Sequence, residues 1–98
     1  MTESHIIRSV HIIVKGKVQG VFYRASAQKR AQELGVKGWV KNNPDGSVEA
    51  LLESEASKID ELLIWCKKGP SHAIVESVTI LSNQSISTYT KSNFEIRH

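Results

Sequence analysis

Val36-Lys-Gly-Trp-Val-Lys-Asn-Asn-Pro-Asp-Gly-Ser-Val-Glu-Ala-Leu-Leu-Glu53 decides the fold. Val36 to Asn42 and Ser47 to Glu53 are rich in apolar and β-branched residues and read as two strands. Asn43-Pro44-Asp45-Gly46 stands between them. Asn suits the first position of a type I turn and Pro the second. Gly suits the last, where a left-handed residue gives a bulge. The stretch is therefore an antiparallel hairpin. Alternation puts Val36, Gly38, Val40 and Asn42 on one face, and Lys37, Trp39, Lys41 and Asn43 on the other.

On the N-terminal side, residues 6–14 form a β-branched run that ends at Lys15-Gly16. Val10, Ile12 and Val14 share one face of this strand, with His11 and Ile13 on the other. Two largely apolar faces suggest a central strand. Gly16 to Arg24 follows as a tight loop, and a helix from Phe22 or Tyr23 to Leu34 is stopped by Gly35. Tyr23, Ala27, Ala31 and Leu34 form its narrow buried stripe.

On the C-terminal side, Ser57 with Asp60, or Ser54 earlier, caps a second helix. Its apolar stripe is Ile59, Leu62, Leu63 and Cys66, and Gly69-Pro70 ends it. Residues 73–81 read as a strand whose alternation slips between Val75 and Val78, as at a bulge. Ser82 to Asn93 is polar and reads as turn. Phe94 to His98 makes a short final strand, and the polar residues 1–5 are expected to fray.

The order is β-α-β-β-α-β plus a short C-terminal strand. It specifies a ferredoxin-like, two-layer α+β sandwich: an antiparallel sheet with two helices on one face, one domain over 1–98. That fold hosts enzymes, RNA binders, metal carriers and regulatory modules, so function must come from a site.

Composition narrows the classes. The chain has 98 residues, 40% hydrophobic and 23% charged, which excludes disorder as its ground state. Its net charge of +3 comes from interspersed residues. The longest basic run, Lys67-Lys68, sits at a helix end, where cations suit the dipole. That distribution argues against nucleic acid as a partner, and no aromatic RNA-binding motif is present. Cys66 is the sole cysteine, so no internal disulfide forms. No leader of basic residues followed by an apolar run is visible, and no apolar stretch approaches about 20 residues. A cytoplasmic monomer with no membrane partner is expected.

The chemistry points to Gly16 to Arg24. Two glycines between a strand and a helix allow backbone N–H groups to converge, and a helix start adds free N–H groups. Such a nest suits an oxyanion. Arg24 in the first helical turn opposes the dipole, unless a dianion sits there to pair with its fork. A plain strand-to-helix turn with an exposed arginine explains the same spacing and is the commoner case. The P-loop, the dinucleotide glycine motif and the GXXG loop are all absent. His5, His11, His72 and His98 lack metal-ligand spacing. Cys66 falls on a buried stripe. Trp39 and Trp65 are read as partly packed on the core, and Glu49, Glu53, Glu55 and Glu61 as solvated.

Gly16-Lys-Val-Gln-Gly-Val-Phe-Tyr-Arg24 closely resembles the acylphosphatase signature. Gly38 to Val48 resembles the family's second motif. Gly69-Pro-Ser-His-Ala-Ile-Val75 and Phe94-Glu-Ile-Arg-His98 resemble two further family segments. The resemblance runs in order over nearly the whole chain. His98 stands where the family usually has Tyr, which affects a local packing or hydrogen-bond contact.

The resemblance implies a hydrolase that splits acyl phosphates into a carboxylate and inorganic phosphate, without metal or cofactor. Arg24 matches the family's phosphate-binding arginine. Asn42 matches the asparagine that orients the attacking water. The main-chain N–H groups of Val18, Gln19, Gly20, Val21, Phe22 and Tyr23 match the phosphate cradle. Inorganic phosphate is then both product and inhibitor. Two other readings compete: a non-catalytic phosphate-recognising module, which a chain ending at residue 98 without a partner domain disfavours, and an RNA-binding ferredoxin-like domain.

Overall fold

The computed structural model describes residues 6–98, so the fraying expected of residues 1–5 lies outside the described residues. The elements are β1 (Ile7–Lys17), α1 (Tyr23–Leu34), β2 (Lys37–Asn42), β3 (Val48–Glu55), α2 (Ala56–Lys68), β4 (Ile74–Ile86) and β5 (Phe94–Arg97). The sheet order is β4-β1-β3-β2-β5. Helix α1 packs on β2 and β5, α2 packs on β1, β3 and β4, and the helices touch each other. The ferredoxin-like sandwich expected from the hairpin is the observed architecture.

Alternation builds the core. Val10, Ile12 and Val14 of β1 lie opposite Leu52, Ala50 and Val48 of β3. All six are buried, together with Val40, Tyr23, Ala27, Ala31, Ile59, Leu62 and Cys66. The hairpin turns as read. The Gly46 N–H donates to the Asn43 carbonyl at 3.1 Å, the Asn43 N–H donates to the Ser47 carbonyl at 2.8 Å, and Gly46 has φ 93°.

Several expectations need correction. The sheet is antiparallel from β4 to β2, but β5 runs parallel to β2. The cause is directional. Strand β4 ends where Ile86 meets Ile7, and Ile7 and Lys37 pair with Glu55 and Glu53 at the same end of β3. The chain crosses that end and enters β5 beside the start of β2, hence in the same direction.

Residues 82–86 belong to β4 rather than to a turn. Strand β1 is long, and its ladder groups require a partner throughout. The segment is polar because β4 is an edge strand open to solvent. Arg8 donates to Asn83 Oδ1 at 3.0 and 2.6 Å and to Ser85 Oγ at 2.8 Å. The expected slip is real: pairing jumps from Val75 to Ser77 opposite Gly16 and Lys15. A second jump, from Ile80 to Ser82, was not visible in the alternation.

Gly16 is a strand residue, not the start of the loop. It pairs with Val75 at φ 129°, and a Cβ there would stand 2.1 Å from the Ile74 carbonyl oxygen. Helix α2 begins at Ala56, ahead of the expected Ser57 cap, and Ser54 is buried in β3 instead.

The helix-free face of the sheet is more ordered than the sequence suggested. Trp39 lies there rather than on the core, edge-on to His11 at 5.8 Å and beneath the Arg97 guanidinium at 4.9 Å. Trp65 does pack on the core, against Tyr23. Glu49 is not simply solvated: its Oε2 lies 2.5 Å from His11 Nε2. Burial alone would raise the Glu49 carboxyl, but hydrogen bonds from His11 and Asn43 and the charge of Lys41 hold it below the usual range. Glu53 is 1% exposed. Residues 87–93 cross over it, and it accepts the N–H groups of Thr90 and Lys91 at 2.9 and 3.1 Å and the Thr90 hydroxyl.

Candidate active site

The turn from β1 into α1 shapes a cleft of about 360 Å³ at one edge of the sandwich. Val18, Gln19, Gly20, Phe22, Tyr23 and Arg24 line it from the loop and helix start, Asn42 lines it from β2, and Ile96 and His98 line it from the C-terminal segment. Of the loop residues singled out in the sequence, only Val21 is missing from the lining.

The loop is anchored on three sides. Val18 and Val21 are buried. Tyr23 donates its hydroxyl to the Cys66 carbonyl at 2.7 Å, tying the start of α1 to the end of α2. Burial pushes the Tyr23 hydroxyl far above its ordinary range and pushes the Cys66 thiol up to about 12, so neither ionises at neutral pH. The Gln19 carboxamide donates to the carbonyls of Asn43 at 2.8 Å and Ser47 at 2.9 Å. That side chain clamps the loop to the hairpin that carries Asn42. Sequence reading assigned Gln19 only a main-chain role, and no local signal marks its carboxamide.

Arg24 lies in the first turn of α1 and is half-buried. Its Nη1 donates to the Arg97 carbonyl at 3.1 Å and lies 3.4 Å from His98 Nδ1. Its Nε and Nη2 groups have no protein partner among the described residues. The Arg97 carbonyl and Ile96 were not foreseen, since about 70 residues of chain separate them from the loop. His98 was foreseen only as a local contact, and it stands beside Arg24.

Asn42 closes β2 opposite Val48. Its Oδ1 is buried and has no hydrogen-bond partner among the described residues. An orphaned buried acceptor costs about 1–3 kcal/mol, and within the described residues packing alone does not repay that cost at Asn42. The N–H groups of Gly20, Val21 and Phe22 also lack a protein acceptor among the described residues. Asn43 is turned away. Its Nδ2 donates to Ser47 Oγ at 3.1 Å within the turn. Among the described residues, no three His, Cys, Asp or Glu side chains gather as a metal-binding group.

Fold and cleft together define a small α+β sandwich in which one arginine and one strand-end asparagine face a loop-built nest. The acylphosphatase family model matches residues 10–96. An acylphosphatase of Rubrobacter xylanophilus is 51% identical over 82% of this chain and 73% of its own length. The solved structure of an acylphosphatase from Coxiella burnetii superposes with a TM-score of 0.82, at 39% identity and 94% coverage of both chains. That of Bacillus subtilis superposes with a TM-score of 0.86, at 31% identity, covering 93% of this chain and 99% of the other. The chain belongs to the acylphosphatase family and is an enzyme of that class.

Proposed function

We propose that this protein hydrolyses the carboxyl–phosphate bond of acyl phosphates by in-line attack of water, with no metal. The observation that carries this reading is the meeting, in one cleft, of the Arg24 fork and the orphaned Oδ1 of Asn42. Arg24 Nε and Nη2, with the loop N–H groups of Val18 to Tyr23, bind the phosphoryl oxygens. Charge develops on those oxygens in a loose transition state, and fixed N–H donors stabilise it in the role that Mg²⁺ plays elsewhere. The anchoring of Arg24 by the Arg97 carbonyl directs the rest of the fork.

Asn42 cannot act as a base at neutral pH. Its carbonyl oxygen accepts a hydrogen bond from water and fixes that water in line with phosphorus, which is a positioning effect. The leaving group is a carboxylate and needs little acid assistance. Inorganic phosphate fills the same nest and inhibits competitively. We take the working form to be a cytoplasmic monomer and the chain to be one unit over residues 1–98. The single unit is supported by the gathering of the buried apolar residues, among those described, into one cluster. No helix among the described residues is long and apolar enough to cross a membrane.

Turnover of benzoyl phosphate in excess chelator tests the reading. The wild-type chain is expected to retain its full rate. Arg24→Ala is expected to lose on the order of 10³ in kcat/KM with an unchanged circular dichroism spectrum. Arg24→Lys also does poorly, because a point charge does not replace a two-pronged donor. Activity lost in chelator and restored by Mg²⁺ overturns the metal-independent mechanism. Saturable phosphate binding without turnover selects a recognition module instead.

A further inference from the structure

Phe22 is the anomaly of the loop. Val18, Val21 and Tyr23 bury their side chains, whereas Phe22 is 82% exposed. Its backbone is left-handed, with φ 63° and ψ 26°. Glycine holds that conformation freely, while for a bulky residue it is an outlier. Phe22 is the only non-glycine residue with positive φ among the described residues. The ring therefore serves neither the core nor the backbone. It lines the cleft together with Ala25 and Ile96, and its exposure puts it at the mouth.

The chemistry of the substrate supplies an occupant for that mouth. In an in-line displacement the attacking and leaving oxygens lie on opposite sides of phosphorus. Asn42 Oδ1 is buried, so a leaving group opposite a water held there would lie toward the open side of the cleft, the side on which Phe22 is exposed. Every acyl phosphate presents the same phosphoryl group to Arg24 and the loop. Discrimination between acyl phosphates must come from the carbon side. Where that side is an apolar acyl group, such as the ring of benzoyl phosphate, an exposed ring flanked by Ala25 and Ile96 gives it apolar contact area that the methyl of acetyl phosphate barely uses.

We propose that Phe22 is a specificity residue whose ring receives the acyl portion of the substrate, favouring aromatic acyl phosphates over acetyl phosphate. This rests on the acyl phosphate reading of the cleft. The test compares kcat/KM for benzoyl phosphate and acetyl phosphate in the wild-type chain, Phe22→Ala and Phe22→Tyr. The Phe22 backbone belongs to the proposed cradle, so a disturbed loop acts on both substrates and cancels in their ratio. The benzoyl-to-acetyl ratio is expected to fall about 3- to 10-fold in Phe22→Ala. It is expected to stay within about 2-fold of wild type in Phe22→Tyr, which keeps the ring. An unchanged ratio in Phe22→Ala overturns the proposal. A wild-type chain inert toward both substrates overturns instead the acyl phosphate reading on which it rests.

Discussion

Asn42 and Asn43 are chemically identical neighbours, and the pleat of β2 separates their work. Asn42 faces the cleft with an unpartnered carbonyl oxygen. Asn43 bonds mainly within the turn, its N–H to the Ser47 carbonyl, its own carbonyl to the Gly46 N–H and its amide to Ser47 Oγ. The same carbonyl also accepts from the Gln19 carboxamide, and its side chain also bonds Glu49. Asn42→Ala is expected to abolish most turnover. The inhibition constant for phosphate should stay within about 2-fold, because in the proposed mechanism water positioning acts in the transition state and phosphate is held by Arg24 and the loop. Asn43→Ala is expected to cost about 1 kcal/mol or less of stability and little activity. Measuring kcat, phosphate inhibition and thermal melts on both variants separates the two. Equal large losses of turnover in both, with folding intact, place the water elsewhere. The opposite facing of the two was legible in the sequence, because a period of two and a turn signature are both local, whereas the choice of Asn42 for the cleft came from the resemblance to the family motif. The anchoring of Arg24 by the Arg97 carbonyl was not legible, since nothing local records a contact 73 positions away.

Glycine shows the same contrast at the level of elements. Gly35 ends α1 at φ 76° with nothing within 4 Å of where a Cβ would point. Gly38 sits inside β2 at φ 141°, and a Cβ there would stand 1.8 Å from the Leu51 carbonyl oxygen of β3. Gly35→Ala bears only the cost of a left-handed alanine, about 1–2 kcal/mol. Gly38→Ala adds a clash with the backbone of the central strand and is expected to cost about 3 kcal/mol or more. For a domain of this size that difference of about 1–2 kcal/mol or more separates melting temperatures by roughly 5 °C or more, which calorimetry on the two variants measures. Similar melting temperatures would show that β2 moves aside freely. Gly35 could be read as a helix stop because the helix pattern before it ends there. The close approach at Gly38 depends on strand pairing. For the same reason the extension of β4 to Ile86 stayed hidden: polar residues such as Asn83 and Ser85 carry no strand signal until β1 is placed beside them.

Across the whole molecule, one carboxylate links the far face of the sheet to the cleft. Strand alternation puts Glu53 on the helix-free face, where a charged residue is ordinarily wet. Residues 87–93 have to cross that face to carry the chain from one sheet edge to the other, and Glu53 is the acceptor that fastens them. The same crossing delivers β5, and with it the Arg97 carbonyl that holds Arg24. Loss of the clasp therefore reaches both stability and catalysis. Glu53→Ala leaves the Thr90 and Lys91 N–H groups without their acceptor and is expected to cost about 1–3 kcal/mol. It is also expected to lower kcat/KM several-fold as β5 loosens, a smaller loss than the roughly 10³ expected of Arg24→Ala. Glu53→Gln keeps one oxygen for both N–H groups, and its amide can donate to the Thr90 hydroxyl where the carboxylate accepted. It should lie much closer to wild type on both measures. Thermal melts and steady-state kinetics on the two variants decide the matter. A Glu53→Ala protein that melts lower yet keeps full kcat/KM would show that the crossing stabilises the sheet without setting the position of Arg24.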